Sequence, residues 1–276
     1  MKRIARNSLM WKALKGLYSP GRAFSKLVSL VPFAPFWLKC ALDAFSRPAL
    51  AYGVVQAALQ AQALGINEIS AVEFGVGEGG GLLELESYGG QVTKNLGIEV
   101  RIFGFDLGTG LPISADYRDC PYIWQEGLYR MDIEALRSRL KTAELIIGDV
   151  KDTVNTFFET YSVPPVGFIS FDLDFYSSTL SAFRMLEIDR LEAFLPRAFC
   201  YFDDVVGPDE ALHSEYTGEL LAIHEFNGKN RDRKIAKIHG LQGKRIAPCF
   251  WADQMYVLHL FEHPYYSTYV YPYPHL

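Results

Sequence analysis

The chain has 276 residues, of which 49% are hydrophobic, 14% aromatic and 21% charged, and its formal net charge is -5. This composition excludes disordered and collagen-like chains, because both lack the apolar side chains needed to offset the entropy of ordering a backbone. A net negative charge also argues against nucleic acid as a partner. We therefore expect a globular protein with one main core, since α/β folds often reach about 250 residues as one unit.

Cysteine spacing and apolar runs bear on the compartment. The four cysteines are far apart and form no zinc or redox motif, which favours a reduced, cytoplasmic protein. No cleavable signal is evident at the N-terminus. The apolar stretch 27–45 carries Pro32, Pro35, Lys39 and Asp43, so it does not fit a transmembrane helix of about 20 mostly apolar residues.

Charge is unevenly distributed along the chain. Up to Leu42 the sequence contains no Asp or Glu but eight basic residues: Lys2, Arg3, Arg6, Lys12, Lys15, Arg22, Lys26 and Lys39. Apolar residues lie between them, which predicts a basic helical arm. Its apolar face could pack on the protein's own core or on another subunit, or it could make peripheral contact with an anionic membrane surface. We divide the chain into this arm or cap (1–62) and a second unit (63–276).

The second unit alternates short apolar runs with helical stretches. A helix at 49–63 precedes predicted strands at 69–74, 100–106, 144–149, 166–172 and 199–202, with helices at 82–96, 153–161 and 178–195 between them. This alternation predicts right-handed crossovers and a parallel sheet covered on both faces.

The C-terminal part follows a different pattern. Two β-rich runs, 255–261 and 266–271, are separated by too few residues for a crossover helix, so we expect them to pair antiparallel. An insertion at about 207–248 has a helical first half, on which we place His213 and His224, and then a basic stretch. The tyrosine-rich C-terminus suggests a subunit interface and a homo-oligomer.

Every predicted strand of the parallel sheet ends in a carboxylate. Ligands bind at the carboxyl ends of such strands, where the strand order reverses. Clustered carboxylates repel one another, so a cationic group is expected among them. The residues concerned are Glu73, Asp106, Asp149, Asp172, Asp174, Asp203 and Asp204.

A glycine turn follows the first predicted strand. Gly75, Gly77 and Gly80 match the G-x-G-x-x-G pattern, which lets a nucleotide approach the backbone, although a tight strand-to-helix turn would give the same pattern. Asp106 at the next strand end could accept ribose hydroxyls. Glu73 and Glu78 flank the turn and oppose a pyrophosphate, which favours a cationic ligand such as S-adenosylmethionine.

The fourth and fifth strand ends carry paired aspartates. Asp172 and Asp174 follow one strand, and Asp203 and Asp204 follow the next. Such oxygen ligands suit Mg²⁺, which usually retains waters or substrate oxygens in its shell. The alternatives are a helix cap for Asp174 and a solvated turn for Asp203 and Asp204.

Four signatures in this region resemble the macrocin O-methyltransferase family, whose members use S-adenosylmethionine and Mg²⁺ to methylate sugar hydroxyls. They span residues 72 to 204 and read Val72-Glu-Phe-Gly-Val-Gly-Glu78, Phe103-Gly-Phe-Asp106 with Gly110-Leu-Pro112, Gly148-Asp149 with Asp152-Thr153, and Asp172-x-Asp174-x-Tyr176-x-Ser178-Thr179 with Asp203-Asp204.

The resemblance implies a Rossmann-like class I methyltransferase fold: α/β, with a mostly parallel seven-stranded sheet, an antiparallel last strand and a helical N-terminal arm. It implies that Glu73, Gly75 and Gly77 line the methionine part of the cofactor, that Asp106 binds the ribose, and that Gly148 and Asp149 contact the adenine. Metal ligation falls to Asp172, Asp203 and Asp204, and proton abstraction to Asp172 or Asp174. A sugar-containing small molecule is the implied acceptor.

Three other functions compete with this interpretation. A glycosyltransferase could hold a divalent ion and a nucleotide sugar through Asp172 and Asp174, but it needs no glycine-rich first turn. An NAD-dependent oxidoreductase would leave the paired aspartates unexplained. A membrane-associated binding protein would rely on the basic arm alone.

Overall fold

Helices and strands alternate through most of the chain. The computed structural model describes residues 20–31 and 33–271. Three helices come first: α1 (Pro20–Ser29), α2 (Phe36–Ala41) and α3 (Pro48–Ala63). The remaining elements are β1 (Glu68–Phe74), α4 (Gly80–Leu96), β2 (Glu99–Asp106), α5 (Ile133–Arg139), β3 (Glu144–Ile147), α6 (Val150–Thr160), β4 (Val166–Phe171), α7 (Tyr176–Phe183), β5 (Phe194–Phe202), α8 (Gly218–Lys229), β6 (Arg233–Lys237) and β7 (Met255–Leu260).

The strands form one sheet in the order β3-β2-β1-β4-β5-β7-β6. Its central pairings are parallel, and β7 runs antiparallel to both β5 and β6. The predicted seven-stranded, mostly parallel sheet with an antiparallel last strand is confirmed. The strand order reverses between β1 and β4, so the ends of these two strands form the crevice in which such sheets bind ligands.

Two apolar cores lie on opposite faces of the sheet. Helices α3 and α4 cover one face, where Val54, Ala57 and Leu85 are buried against sheet residues such as Phe168. Helices α6, α7 and α8 cover the other face, with Phe157 among their buried residues. Each face is apolar because parallel strands linked by helical crossovers are covered on both sides.

A row of four stacked phenylalanines crosses the second of these cores. The rings of Phe105 and Phe74 have centroids 4.8 Å apart, those of Phe74 and Phe171 are 5.5 Å apart, and those of Phe171 and Phe202 are 4.7 Å apart. These residues are paired in register across β2, β1, β4 and β5. The four strands therefore end at nearly the same level: β1, β4 and β5 end at the row itself, and β2 ends one residue beyond it.

The segment between β4 and β5 differs from the prediction. The helix expected at 178–195 ends at Phe183, and short 3-10 turns follow at Arg184–Glu187 and Leu191–Ala193. Strand β5 begins earlier than expected, at Phe194, and its pairing with β4 shifts register before Phe199. Pro196 lies in this irregular stretch, where its missing N–H does not interrupt a regular ladder. Helix α5, capped by the Asp132 side chain, was not predicted.

The predicted C-terminal hairpin is wrong. Strand β7 pairs with β5 on one edge and with β6 on the other, so neither edge is free for residues 266–271. That segment turns back instead, and Arg197 Nη1 donates to the Tyr266 carbonyl at 2.7 Å. The actual partner, β6, lies in the predicted basic stretch, where lysines suit the exposed edge of a sheet.

The N-terminal arm is described from residue 20 onward, and residues 1–19 lie outside the described part. Helix α3 packs directly on the sheet, with Val54, Ala57, Ala58 and Ala61 fully buried. The division into units 1–62 and 63–276 stays a prediction. Within the described residues no helix combines the length and apolar character needed to cross a bilayer, and the four cysteines form no disulfide.

Gly53 sets the distance between α3 and the sheet. A Cβ atom at this position would lie 2.1 Å from the buried Phe168 ring. We predict that Gly53→Ala lowers the free energy of unfolding by about 1–3 kcal/mol through overpacking. The matched control is Gly90→Ala in α4, which has open space around it and should gain about 0.5–1 kcal/mol. Denaturant unfolding compares the two, and equal effects would contradict this account of the α3 packing.

Candidate functional site

The predicted site residues meet at one edge of the sheet. Gly75, Asp106, Asp172 and Asp203 each follow one of the four stacked phenylalanines. A Cβ atom on Gly75 would lie 1.7 Å from the Asp172 carbonyl oxygen, and Gly75 has a φ of +83°. Only glycine therefore permits the close approach of the chain segments that follow β1 and β4.

Asp106 holds the glycine turn in place. Its Oδ2 accepts hydrogen bonds from the backbone N–H groups of Val76 and Gly77, both at 2.8 Å, and its Oδ1 accepts one from Gly108 at 2.6 Å. A carboxylate has about four acceptor positions, so about one is left. The turn predicted from the glycines is thus fixed by the carboxylate at the end of the neighbouring strand.

Glu73 is a buried carboxylate beside the turn. It is 2% exposed, and its Oε2 has no hydrogen-bond partner among the described residues. Burial, with repulsion from Asp172, raises the pKa of Glu73 well above its usual value, while Arg47 opposes the rise. A Cβ atom on Gly81 would lie 1.8 Å from Glu73 Oε1, so this carboxylate touches the first turn of α4.

Arg47 was not singled out in the sequence. It precedes α3, and a Cβ atom on Gly80 would lie 3.3 Å from its Nη2 atom. Its charge lowers the pKa of both Glu73 and Asp172. The arginine therefore places a positive charge beside the carboxylates, and only the fold brings it there from the segment before α3.

Gly148 and Asp149 lie on the β3 side of the turn. Gly148 donates its N–H to the Asp106 carbonyl at 2.9 Å. Asp149 caps α6 by accepting from the backbone N–H of Lys151 at 3.0 Å, which helps lower its pKa. Next to them is an open cavity of about 680 Å³, whose lining includes Met131, Ile133 and Ile147.

The paired aspartates are clamped to each other and to α8. The backbone N–H of Asp174 donates to Asp204 Oδ2 at 2.9 Å, and the Asp204 N–H donates to Glu219 Oε2 at 3.0 Å. Asp174 and Asp204 are both buried, and Glu219 is fully buried. Asp174 provides no side-chain cap for α7, and of the pair predicted as an alternative solvated turn, Asp204 is buried and Asp203 is half-buried. Glu219 was missed, since a lone Glu on a predicted helix usually lies on the surface.

Repulsion among these carboxylates is the main electrostatic feature of the site. Burial raises the pKa of Asp172, Asp204 and Glu219 well above their usual values, and neighbouring aspartates raise them further. Burial and the charges of Asp172 and Asp203 raise the pKa of Asp174 to about 8. Glu219 Oε1 is buried without a partner among the described residues.

The carboxylates do not form a ready-made metal centre. In residues 20–31 and 33–271, no group of three or more His, Cys, Asp or Glu residues is placed to hold a metal ion. Asp203 Oδ1 accepts a hydrogen bond from the Tyr201 hydroxyl, and Asp204 Oδ2 is bound to the Asp174 backbone. Part of the acceptor capacity of these two carboxylates is therefore taken by the protein itself.

A long loop, residues 107–132, covers this edge of the sheet, and we call it the aromatic loop. Leu111 donates its N–H to the Leu128 carbonyl at 2.9 Å, which closes the loop at its base. Buried Asp119 accepts from the backbone N–H of Ser177 at 2.8 Å, tying the loop to the start of α7. Tyr122 donates its hydroxyl to the Ala211 carbonyl at 2.8 Å, tying it to the segment after β5.

Tyr129 of the aromatic loop faces the aspartates. Burial, followed by the charges of Asp174, Asp204, Asp172 and Asp203, raises the pKa of Tyr129 to about 12. The side chain is still 52% exposed, and the Trp124 ring lies 6.4 Å from its own ring. No sequence pattern pointed to this residue, because it lies more than forty positions from the aspartates.

The two histidines of the insertion, His213 and His224, lie on different elements. His213 lies before α8 and not on it, contrary to the prediction, and the nearby Asp203 acts on its pKa, which burial lowers. His224 does lie on α8. His213 therefore lies within electrostatic range of Asp203.

Comparison with known proteins addresses the fold. No protein-family model matches the chain, and no curated protein matches it. The chain is similar to the crystal structure of CalS11, a calicheamicin methyltransferase, with 19% identity, 85% of this chain and 90% of that chain covered, and a TM-score of 0.52. It is also similar to the O-methyltransferase TomG from Streptomyces achromogenes in complex with S-adenosylmethionine, with 16% identity, 87% and 95% coverage and a TM-score of 0.47.

The likeness to CalS11, with its TM-score of 0.52, concerns the fold of the chain. Together with the strand order, it shows that the chain has the Rossmann-like α/β fold of class I methyltransferases. The expected fold class is confirmed.

The raised pKa of Asp174 predicts a pH-dependent stability. A carboxyl group whose folded-state pKa lies above its unfolded value stabilises the fold below the unfolded pKa, and this stability is lost as pH rises through the folded pKa. Without divalent cations, the free energy of unfolding should fall between about pH 4 and pH 8, the window set by the value of about 8. Asp174→Asn should flatten this decline, because an amide side chain does not titrate. The variant should keep the local backbone, since Asn tolerates the φ of +61°. Denaturant unfolding at several pH values tests this, and an identical decline in the variant would contradict it.

Proposed function

We propose that the chain is an S-adenosylmethionine-dependent O-methyltransferase acting on a hydroxyl of a sugar or glycosylated small molecule, with Mg²⁺ at the paired aspartates. One observation carries the proposal: the glycine turn with Glu73 and Asp106 lies directly beside the aspartates, at the switch point of a methyltransferase-type sheet. The resemblance to sugar O-methyltransferases and the likeness to CalS11 support it.

The donor side of the site matches the charges of an amino acid. The Glu73 carboxylate suits an ammonium group, whereas Arg47 and the first turn of α4 suit a carboxylate. Asp106 retains about one acceptor position for a ribose hydroxyl. The cavity beside Ile133 and Ile147 offers apolar surface for an adenine, and Gly148 and Asp149 directly follow Ile147 in the chain.

Asp172, Asp203 and Asp204 are the residues that would hold Mg²⁺. Their chemistry fits a hard cation, because carboxylate oxygens are its preferred ligands and because Arg47 and the Asp174 N–H only partly offset their mutual repulsion. Glu219, whose Oε1 has no hydrogen-bond partner among the described residues, adds a further carboxyl group to this cluster. When bound, S-adenosylmethionine would supply an activated methyl group, and Mg²⁺ would lower the pKa of an acceptor hydroxyl.

We assign proton acceptance to the Asp172 carboxylate. It is only partly buried, and no hydrogen bond from a described residue reaches its side chain. Asp174 is 6% exposed, with its backbone committed to Asp204, so an acceptor would reach it less readily. A carboxylate within hydrogen-bond reach of the hydroxyl can accept its proton as the methyl group is transferred.

The aromatic loop is the proposed acceptor-binding element. Tyr129 lies near the aspartates and Trp124 lies near Tyr129, and large rings with a polar edge suit amphipathic ligands such as glycosides. The hydrogen bonds of Asp119 and Tyr122 hold the loop against both neighbouring segments. An acceptor placed under Tyr129 would meet the carboxylates and the donor side together.

The alternative, a glycosyltransferase using Asp172 and Asp174, is not favoured. A nucleotide-sugar diphosphate would lie among Glu73, Asp204 and Glu219, all buried carboxylates, with Arg47 as the neighbouring positive charge. The same repulsion argues against the pyrophosphate of NAD.

Donor binding can be tested before the acceptor is known. We predict that S-adenosylhomocysteine binds the purified chain, and that Gly81→Ala weakens binding at least about tenfold, because the added Cβ would displace the Glu73 carboxylate. Gly90→Ala, in the same helix but in open space, should leave the affinity unchanged. Calorimetric titrations, run in parallel with UDP-glucose plus Mn²⁺ and with NAD, decide the matter. Heat with UDP-glucose and none with S-adenosylhomocysteine would favour the glycosyltransferase.

Asp172 should be required for turnover and dispensable for donor binding. With a panel of nucleotide sugars and glycosides as acceptors, Asp172→Ala should reduce formation of S-adenosylhomocysteine by at least about a hundredfold. Its affinity for S-adenosylhomocysteine should stay measurable. Asp189→Ala, which removes an exposed aspartate before β5, is the control. Retained turnover of Asp172→Ala at saturating Mg²⁺ would reject the role of Asp172.

A further inference from the structure

The first two helices, and Leu30, Val31 and Phe33 between them, carry apolar side chains that face away from the protein core. Leu30 is 71% exposed and Phe33 is 93% exposed. The other large apolar residues of this surface, which we call the N-terminal apolar face, are Phe24, Leu27, Val31, Trp37 and Leu38. A protein surface normally carries large apolar side chains singly and far apart. Their concentration in this one short segment indicates an interaction site.

The segment is attached to the body of the protein from its other side. Val28 is buried with Leu42 and Ala44 in a small cluster. Arg22 donates its Nε–H to the Pro248 carbonyl at 2.6 Å, and its guanidinium lies over the Phe250 ring. The exposed residues are therefore the outward side of an anchored element.

Positive charge surrounds this face. Lys26 and Lys39 lie in the same segment, and the sequence has no Asp or Glu before Asp43. Asp43 itself is paired with Arg245 at 3.1 Å. Five further basic residues occur in positions 1–19, whereas the rest of the chain carries the net negative charge.

We propose that the N-terminal apolar face docks on an anionic lipid bilayer surface. Charge complementarity favours an anionic bilayer as the partner. Helices that lie in the membrane interface typically combine lysine and arginine with Trp, Phe and Leu. The cores of protein interfaces are depleted in lysine, which argues against a second copy of the chain. Packing on the chain's own core is excluded for the described residues of the face by their exposure. The proposal does not depend on the catalytic function.

Sedimentation with vesicles tests the proposal on the full chain. We expect binding to phosphatidylcholine vesicles containing about 30% phosphatidylserine, and at least about tenfold weaker binding to phosphatidylcholine alone. Binding should weaken between about 0.1 M and about 0.5 M salt, because the lysines are screened. The double variant Leu30→Glu and Phe33→Glu should bind at least about tenfold more weakly. Both side chains are exposed, so the fold should survive.

The controls separate the membrane from other occupants. Tyr269→Glu changes an exposed aromatic residue near the C-terminus and should bind vesicles like the wild type. Failure of the wild-type chain to sediment with phosphatidylserine vesicles would overturn the proposal, as would undiminished binding of the double variant. Light scattering that shows a wild-type dimer and a monomeric double variant, without vesicle binding, would assign the face to a second copy. Titration with S-adenosylhomocysteine should be unaffected in every variant, which keeps this test separate from that of the proposed activity.

Discussion

The stacking of four phenylalanines across β2, β1, β4 and β5 is the contact on which the rest of the site depends. Offset aromatic rings fix the register of neighbouring strands more tightly than aliphatic side chains, because each ring has a preferred distance and tilt to the next. With Phe105, Phe74, Phe171 and Phe202 aligned, the residue after each one emerges at the same height. A shift of one residue in any of these strands would turn its carboxylate or glycine toward the opposite face. The strand register that stacks the phenylalanines in the core therefore also brings the polar site residues together.

The price of this alignment is electrostatic. Carboxylates that water would separate are held close together, and several lose hydration, so their charged forms are disfavoured. Backbone N–H groups that bind Asp106 and Asp204, together with the charge of Arg47, partly offset this cost. Glu73 and Glu219 each keep one buried oxygen without a partner among the described residues. Such imbalance is typical of sites that acquire their missing charge from a ligand.

Residue patterns were sufficient for the parallel sheet and for the set of strand-end residues, because short apolar runs and terminal carboxylates are local signals. They failed where the deciding contact is distant in sequence. The run 266–271 has the composition of a strand, but both edges of β7 are occupied by β5 and β6. Arg47, Tyr129 and Glu219 reach the site from three separate segments. A signal was present for the alignment itself: a phenylalanine stands before Gly75, Asp106, Asp172 and Asp203 alike.

Asp106 holds the glycine turn through contacts within the chain itself. Three backbone N–H groups bind it, and these hydrogen bonds fix the shape of the loop around Gly77. A molecule that takes the remaining acceptor position would meet a receptor of fixed shape, and association would lose little conformational entropy on the protein side. The same rigidity has a kinetic consequence: molecules would enter and leave past this loop without waiting for it to fold, so exchange would be governed by the movable segments around it.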